Sequence, residues 1–130
     1  NKDLIKESNA NEGSLVLKLK SEDVSALFTG DISIETENKI LEGQDLDVDV
    51  LKVAHHGSKY STGANFLGEV TPAIAVIEVG NNSYGHPTAI VLQKLQMIGA
   101  SVYRTDKNGR VKLLVRDGKI GVMTETARVE

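Results

Sequence analysis

The chain has no cysteine and no tryptophan, and only 2 prolines in 130 residues. Without cysteine, disulfides and thiolate metal sites are excluded, and imidazole and carboxylate remain as the strong metal ligands. Aromatic residues make up 4% of the chain, so the core must be built from Val, Ile, Leu and Ala. There is no run of about 18 apolar residues, and the sequence predicts no membrane span. The N-terminus Asn1-Lys2-Asp3 lacks both an initiating Met and an apolar signal segment, which predicts a processed or excised piece of a longer protein. Basic residues are not in excess: the net charge of −3 leaves no global field that would draw in nucleic acid.

What is present suits one soluble globular domain or half-domain, residues 1–130, with 40% hydrophobic and 25% charged residues. Residues 1–13 are polar and are expected to be a flexible lead-in. Ser14–Lys20 places Leu15, Leu17 and Leu19 in alternation, the pattern of a strand with one buried face. Residues 24–29 form a second strand, hairpin-paired with the first. Ser33 can cap a helix through about Leu41, with Glu35 and Glu37 near its positive end and Gly43 just beyond it.

Asp49–Ala54 reads as a strand, and a short helix carrying Phe66, Leu67 and Val70 ends before Pro72. The nearly all-apolar run 73–79 predicts a strand covered on both faces. Pro87 fits a first helical position, followed by a buried stripe of Val91, Leu95 and Ile98 with Met97 also in the core, and Gly99 ends that helix. After a strand at 101–105, Asn108-Gly109 and Asp117-Gly118 are turn signals around strands 111–115 and 120–123. This order predicts a layered α/β (α+β) arrangement with a mixed sheet and helices on one face.

Chemistry concentrates in three loops. Asp31, the pair His55-His56 and His86 each follow the end of a predicted strand, with a glycine nearby. Two of the chain's 3 histidines are adjacent. If the sheet gathers these strand ends, a carboxylate and three imidazoles suit a zinc- or manganese-like ion, which lowers the pKa of bound water. Each loop alone also has a bland reading: Gly30-Asp31 as a turn, His55-His56 as surface, His86 as a helix entry. Ser58 has no Gly-x-Ser-x-Gly context and is not read as a nucleophile.

The succession Thr29-Gly30-Asp31, Asp49 to Ser58, Tyr84-Gly85-His86-Pro87 and Thr105-Asp106-Lys107-Asn108-Gly109 resembles the C-terminal half of a metallo-β-lactamase-superfamily domain. It is most similar to the hydrolase domain of ComEC-type DNA-internalisation competence proteins and their secreted relatives. The similarity covers roughly residues 11–116. It implies half of an αββα sandwich and, in the full-length parent, two divalent metals (Zn or Mn), with Asp31 and His56 as ligands.

His55 and His86 would be catalytic, with the ligand role of His55 against His56 and the choice of ligand or substrate contact for His86 left open, and Ser58 and Ser61 would bind substrate. The implied substrate is DNA or another phosphodiester, and the implied location is the bacterial cell surface or outside the cell. The superfamily's His-x-His-x-Asp-His motif is absent. This chain is therefore expected to lack half the ligands, to bind metal weakly, and to be inactive without the missing N-terminal half of the domain. An exposed first sheet edge would invite a homodimer. Two alternatives stand beside this: a phosphorylcholine-esterase-type hydrolase, and a non-catalytic partner-binding module that kept the fold.

Overall fold

The computed structural model describes residues 10–126. Strands β1 (Leu17–Ser21), β2 (Val24–Phe28), β3 (Val50–Lys52), β4 (Ile74–Ile77) and β5 (Ser101–Arg104) form one sheet in sequence order. β1 is antiparallel to β2, and every later neighbour pair is parallel. The sheet is thus mixed, and strands β2 to β5 end on the same edge. Each parallel connection carries a helix: α1 (Ile34–Leu41), α2 (Ala64–Val70) and α3 (Ala89–Met97). A parallel pair needs such a crossover, because its second strand must restart at the opposite end of the sheet.

All three helices pack on one sheet face. Leu27, Leu51, Ala75 and Ile77 point from the sheet into a core shared with Phe66, Leu67, Val70, Val91 and Leu95. This is the aliphatic core the sparse aromatics require, with Phe66 as its one large ring. The hairpin of β6 (Val111–Arg116) and β7 (Lys119–Thr124) covers part of the other face, over Ala26, Phe28 and Val50. Val24, on the same face, is buried, whereas Leu17 and Leu19 remain 51% and 55% exposed. Asp117 and Gly118 both take positive φ at the hairpin turn, as this Asp-Gly signal predicts.

The sequence reading is corrected at several points. The first strand begins at Leu17 and the third spans only Val50–Lys52. Of the predicted lead-in, residues 1–9 lie outside the described residues, and Ala10–Gly13 forms a single tight helical turn. There the Glu12 carboxylate accepts the Thr36 hydroxyl. Pro87 is not the first helical residue. Thr88 caps α3, and its N–H and hydroxyl are both held by the Gly57 carbonyl, at 2.9 and 3.0 Å, so residues 87–88 belong to the preceding loop.

Met97 is 86% exposed and Ile98 is the C-cap residue, so the fully buried residues of α3 are Val91 and Leu95, with Leu92 partly buried beside them. Asn108-Gly109 closes a one-turn helix, α4 (Thr105–Asn108), rather than a hairpin. Run 73–79 is fully buried only on the helix side, since Ile74 and Val76 on the other face are half-buried. No described helix is long and apolar enough to cross a membrane.

Candidate functional site

The site is built at the edge where the parallel strands end, the usual place for ligand-holding loops in α/β sheets. Behind β3 the chain makes a tight turn, Ala54–Gly57, in which His55, His56 and Gly57 all have positive φ (48°, 55° and 82°). Left-handed backbone at two successive non-glycine residues costs about 1–3 kcal/mol each and persists only where the surroundings impose it. Four hydrogen bonds impose it here. His55 N–H donates to Gly30 O at 3.0 Å, Ser58 N–H returns to His55 O at 3.0 Å, and Thr88 clasps the Gly57 carbonyl.

Gly57 is necessary for this approach. A Cβ placed on it would lie 2.5 Å from the Pro87 Cβ and 3.0 Å from its Cα. The missing side chain lets the His55-His56 turn lie directly on the His86-Pro87 segment. The three imidazoles converge as a result. The rings of His55 and His86 are 5.6 Å apart edge-on, and those of His55 and His56 are 6.4 Å apart. Burial, reinforced by the neighbouring His55 and His56, holds the His86 imidazole below its ordinary pKa, so its neutral form is favoured.

The His56 Nδ1 lies 2.6 Å from the Glu78 carbonyl, which can only accept, so Nδ1–H donates this hydrogen bond and Nε2 is the ring nitrogen not engaged by it. This backbone-oriented imidazole is the arrangement typical of metal-ligating histidine. A cavity of about 220 Å³ opens beside it, lined by His56, Val79, Gly80, Asn82, Tyr84 and His86. Asp31 sits at the end of β2, half-buried, its N–H donating to Ser14 Oγ at 3.1 Å. The Gly30–His55 hydrogen bond puts it one residue from the histidine turn.

Ser58 and Ser61 are not among the cavity's lining residues. Both are buried: Ser58 Oγ accepts Tyr60 N–H at 3.3 Å, and Ser61 donates to Ile32 O at 2.7 Å. Among the described residues no three His, Asp or Glu side chains are disposed to hold one ion together. The donors present do not by themselves fit the two-metal centre that the resemblance implies.

Two groups were not singled out by the sequence. Glu37, expected at the helix N-terminus as a dipole partner, is fully buried, and its carboxylate accepts Thr62 N–H at 2.6 Å and Gly63 N–H at 2.8 Å. Lys94 donates to Thr62 O at 3.3 Å, so α1 and α3 both grip the loop that follows the histidines. The readable signal was its position: Glu37 shares a helix face with Ile34, Ile40 and Leu41, where a carboxylate must find partners. The other is Asn82, whose side chain bonds Gly80 O, His86 O and the N–H groups of Tyr84 and His86. It shapes the whole His86 loop.

Fold and site together define an α/β domain with a histidine cluster at the C-terminal edge of its parallel strands. No family model matches the chain. It is 42% identical over 107 residues to ComE operon protein 3 of Bacillus subtilis (strain 168), covering 81% of this chain and 14% of that protein. It is 34% identical over 122 residues to competence protein ComA of Neisseria gonorrhoeae, covering 92% of this chain and 17% of that one. Recombination protein 2 of Haemophilus influenzae is 34% identical over 105 residues, covering 79% of this chain and 13% of that protein. These proteins are homologues of the chain. The chain spans less than a fifth of their length, so the similarity is to one segment of each.

Proposed function

We propose that this chain is the C-terminal part of a metal-dependent hydrolase of the metallo-β-lactamase superfamily, a phosphodiesterase or nuclease serving DNA uptake at the bacterial cell surface. The observation that carries the reading is the convergence of His55, His56 and His86 on one sheet edge, held by a left-handed turn. The competence and recombination proteins it resembles supply the DNA context.

In this reading His56, through Nε2, and Asp31 are ligands contributed to a two-metal centre (Zn or Mn) of the parent. The remaining donors come from outside the described residues, from the N-terminal half of the same domain. His55 and His86 face the reacting phosphodiester, and a neutral His86 can accept a proton or orient a phosphate oxygen. Ser58 and Ser61 serve the substrate indirectly, by stiffening the loop beneath it. The chain alone hydrolyses nothing.

The partly open sheet face and the β1 edge of the sheet are where that half, or a second copy of this chain, would pack. Calorimetric titration with Zn²⁺ or Mn²⁺ tests the reading, using this chain and a version extended by about 150 residues upstream, a typical domain's length. Tight binding of two ions by the extended form alone is expected. Tight binding by this chain alone would refute the shared centre, and binding by neither would favour a non-catalytic module.

A further inference from the structure

Beside the histidine cluster one aromatic ring is held out into solvent. Tyr84 is 81% exposed, in a chain with few aromatics. Its position is not slack. Asn82 Oδ1 accepts the Tyr84 N–H at 3.1 Å and the His86 N–H at 3.0 Å, while Nδ2 donates to Gly80 O and His86 O at 3.0 and 2.8 Å. One amide thus sets the loop from Gly80 to His86 without help from a core.

The ring stacks on His86, with centroids 5.8 Å apart and planes 26° from parallel, which leaves it open to solvent elsewhere. It also walls the cavity of about 220 Å³ that His56 and His86 line. That space is below the roughly 300 Å³ at which pockets begin to enclose a drug-sized ligand. A single planar ring system matches its size.

We propose that Tyr84, backed by His86, is a stacking platform for one nucleobase of the strand whose phosphate lies at the histidine cluster. The proposal rests on the phosphodiesterase reading and deepens it by naming single-stranded nucleic acid as the bound form. Bases inside a duplex already stack on their neighbours, whereas an unpaired base presents a free π-face to an aromatic side chain. Such stacking tolerates any base, as a general uptake function requires. It also answers the charge problem. With a net charge of −3 the chain has no broad basic field, and stacking supplies grip on the strand beyond local phosphate contacts.

The test is fluorescence anisotropy of the full 130-residue chain with a fluorescein-labelled oligothymidylate and with an abasic strand of equal length. The variants are Tyr84→Ala, Tyr84→Leu and Tyr84→Phe, each checked for folding by circular dichroism. Removing the ring is expected to weaken binding of the base-bearing strand roughly tenfold or more, with Tyr84→Phe close to wild type and the abasic strand indifferent to all three. Leucine keeps bulk over His86 without a π-face, so recovery by Tyr84→Leu would mean a structural role and would overturn the platform. Equal binding by wild type and Tyr84→Ala, or no binding of the oligothymidylate at all, would also overturn it. In each of those cases the phosphodiesterase reading is judged separately, by the metal titration of the extended protein.

Discussion

Glu37 shows how one buried charge organises the neighbourhood of a site. Both of its oxygens accept backbone N–H groups of the loop after the histidines, and the carboxyl is out of contact with water. Burial pushes its pKa above the ordinary glutamate value, while the Gly63 and Thr62 N–H groups and the Lys94 ammonium pull the other way. In the unfolded chain the carboxyl titrates near the ordinary value of about 4.3. Between that value and the higher folded one, the folded state binds more protons. The Glu37 contribution to stability is therefore greatest on the acid side and falls as pH rises through that window.

Glu37→Gln removes this titration and also sets an amide N–H₂ against a backbone N–H, so it is destabilised throughout. The stability advantage of wild type over Glu37→Gln is expected to be largest near pH 4 and to shrink as pH rises through that window. Urea denaturation across that range measures it. An advantage that grows with pH would show that the hydrogen bonds outweigh burial.

At the scale of elements, the site depends on two loops touching where a side chain would keep them apart. Gly57 lies on Pro87 with room only for hydrogen, at a φ of 82°. Gly57→Ala would meet both a backbone penalty of about 1–2 kcal/mol and an overpacking penalty of about 1–3 kcal/mol. The expected result is a loss of roughly 2–5 kcal/mol in denaturant unfolding. The His55 and His86 ring resonances should also shift in NMR spectra as the two loops separate. A variant with wild-type stability and unshifted imidazole signals would mean that the contact does not set the cluster. Thr105 joins β5 to the same edge by accepting Val79 N–H and donating to Val79 O, both at 2.8 Å. The Asn82-shaped loop is thereby fixed at its β4 end as well.

For the molecule as a whole, the two sheet faces are unequally served. Three helices seal one, whereas the β6–β7 hairpin leaves Leu17, Leu19 and Phe28 at least two-fifths exposed on the other. Among the described residues β1 is also an edge that no further strand pairs with. An apolar face beside an open edge is a template for association. This chain is expected to self-associate at high concentration, and Leu17→Lys with Leu19→Lys should return it to monomer in sedimentation velocity. A monomeric wild type at all concentrations would count against this surface as a docking face for either a second copy or the rest of the domain.

Much of this protein was legible in its residues because the signals were local. The Ser33 cap, the Asp117-Gly118 turn and the Phe66-Leu67-Val70 stripe each follow from backbone and side-chain preferences within a few positions, whereas β1 forms where its alternation predicts a strand but the buried face expected of it stays exposed. The succession of strand, loop and helix that makes strands β2 to β5 end together follows in the same way, with Asp31, His55-His56 and His86 just beyond them. Tertiary structure decided the rest.

Met97 and Ile98 stand at helical spacing with their neighbours, yet α3 buries Val91 and Leu95 fully and Leu92 partly against the core, leaving Met97 exposed. Ser58 and Ser61 sit near the histidines in sequence, but their hydroxyls turn inward to the chain's own backbone. Glu37 looked like a helix-end charge and is a buried clamp, because the loop it holds lies some 25 residues further along the chain. The meeting of His55 with His86 likewise spans more than 30 residues and depends on a hydrogen atom at Gly57. Periodicity, caps and turns depend on neighbours in sequence; which groups face a cavity, and which are consumed in holding it open, depends on neighbours in space.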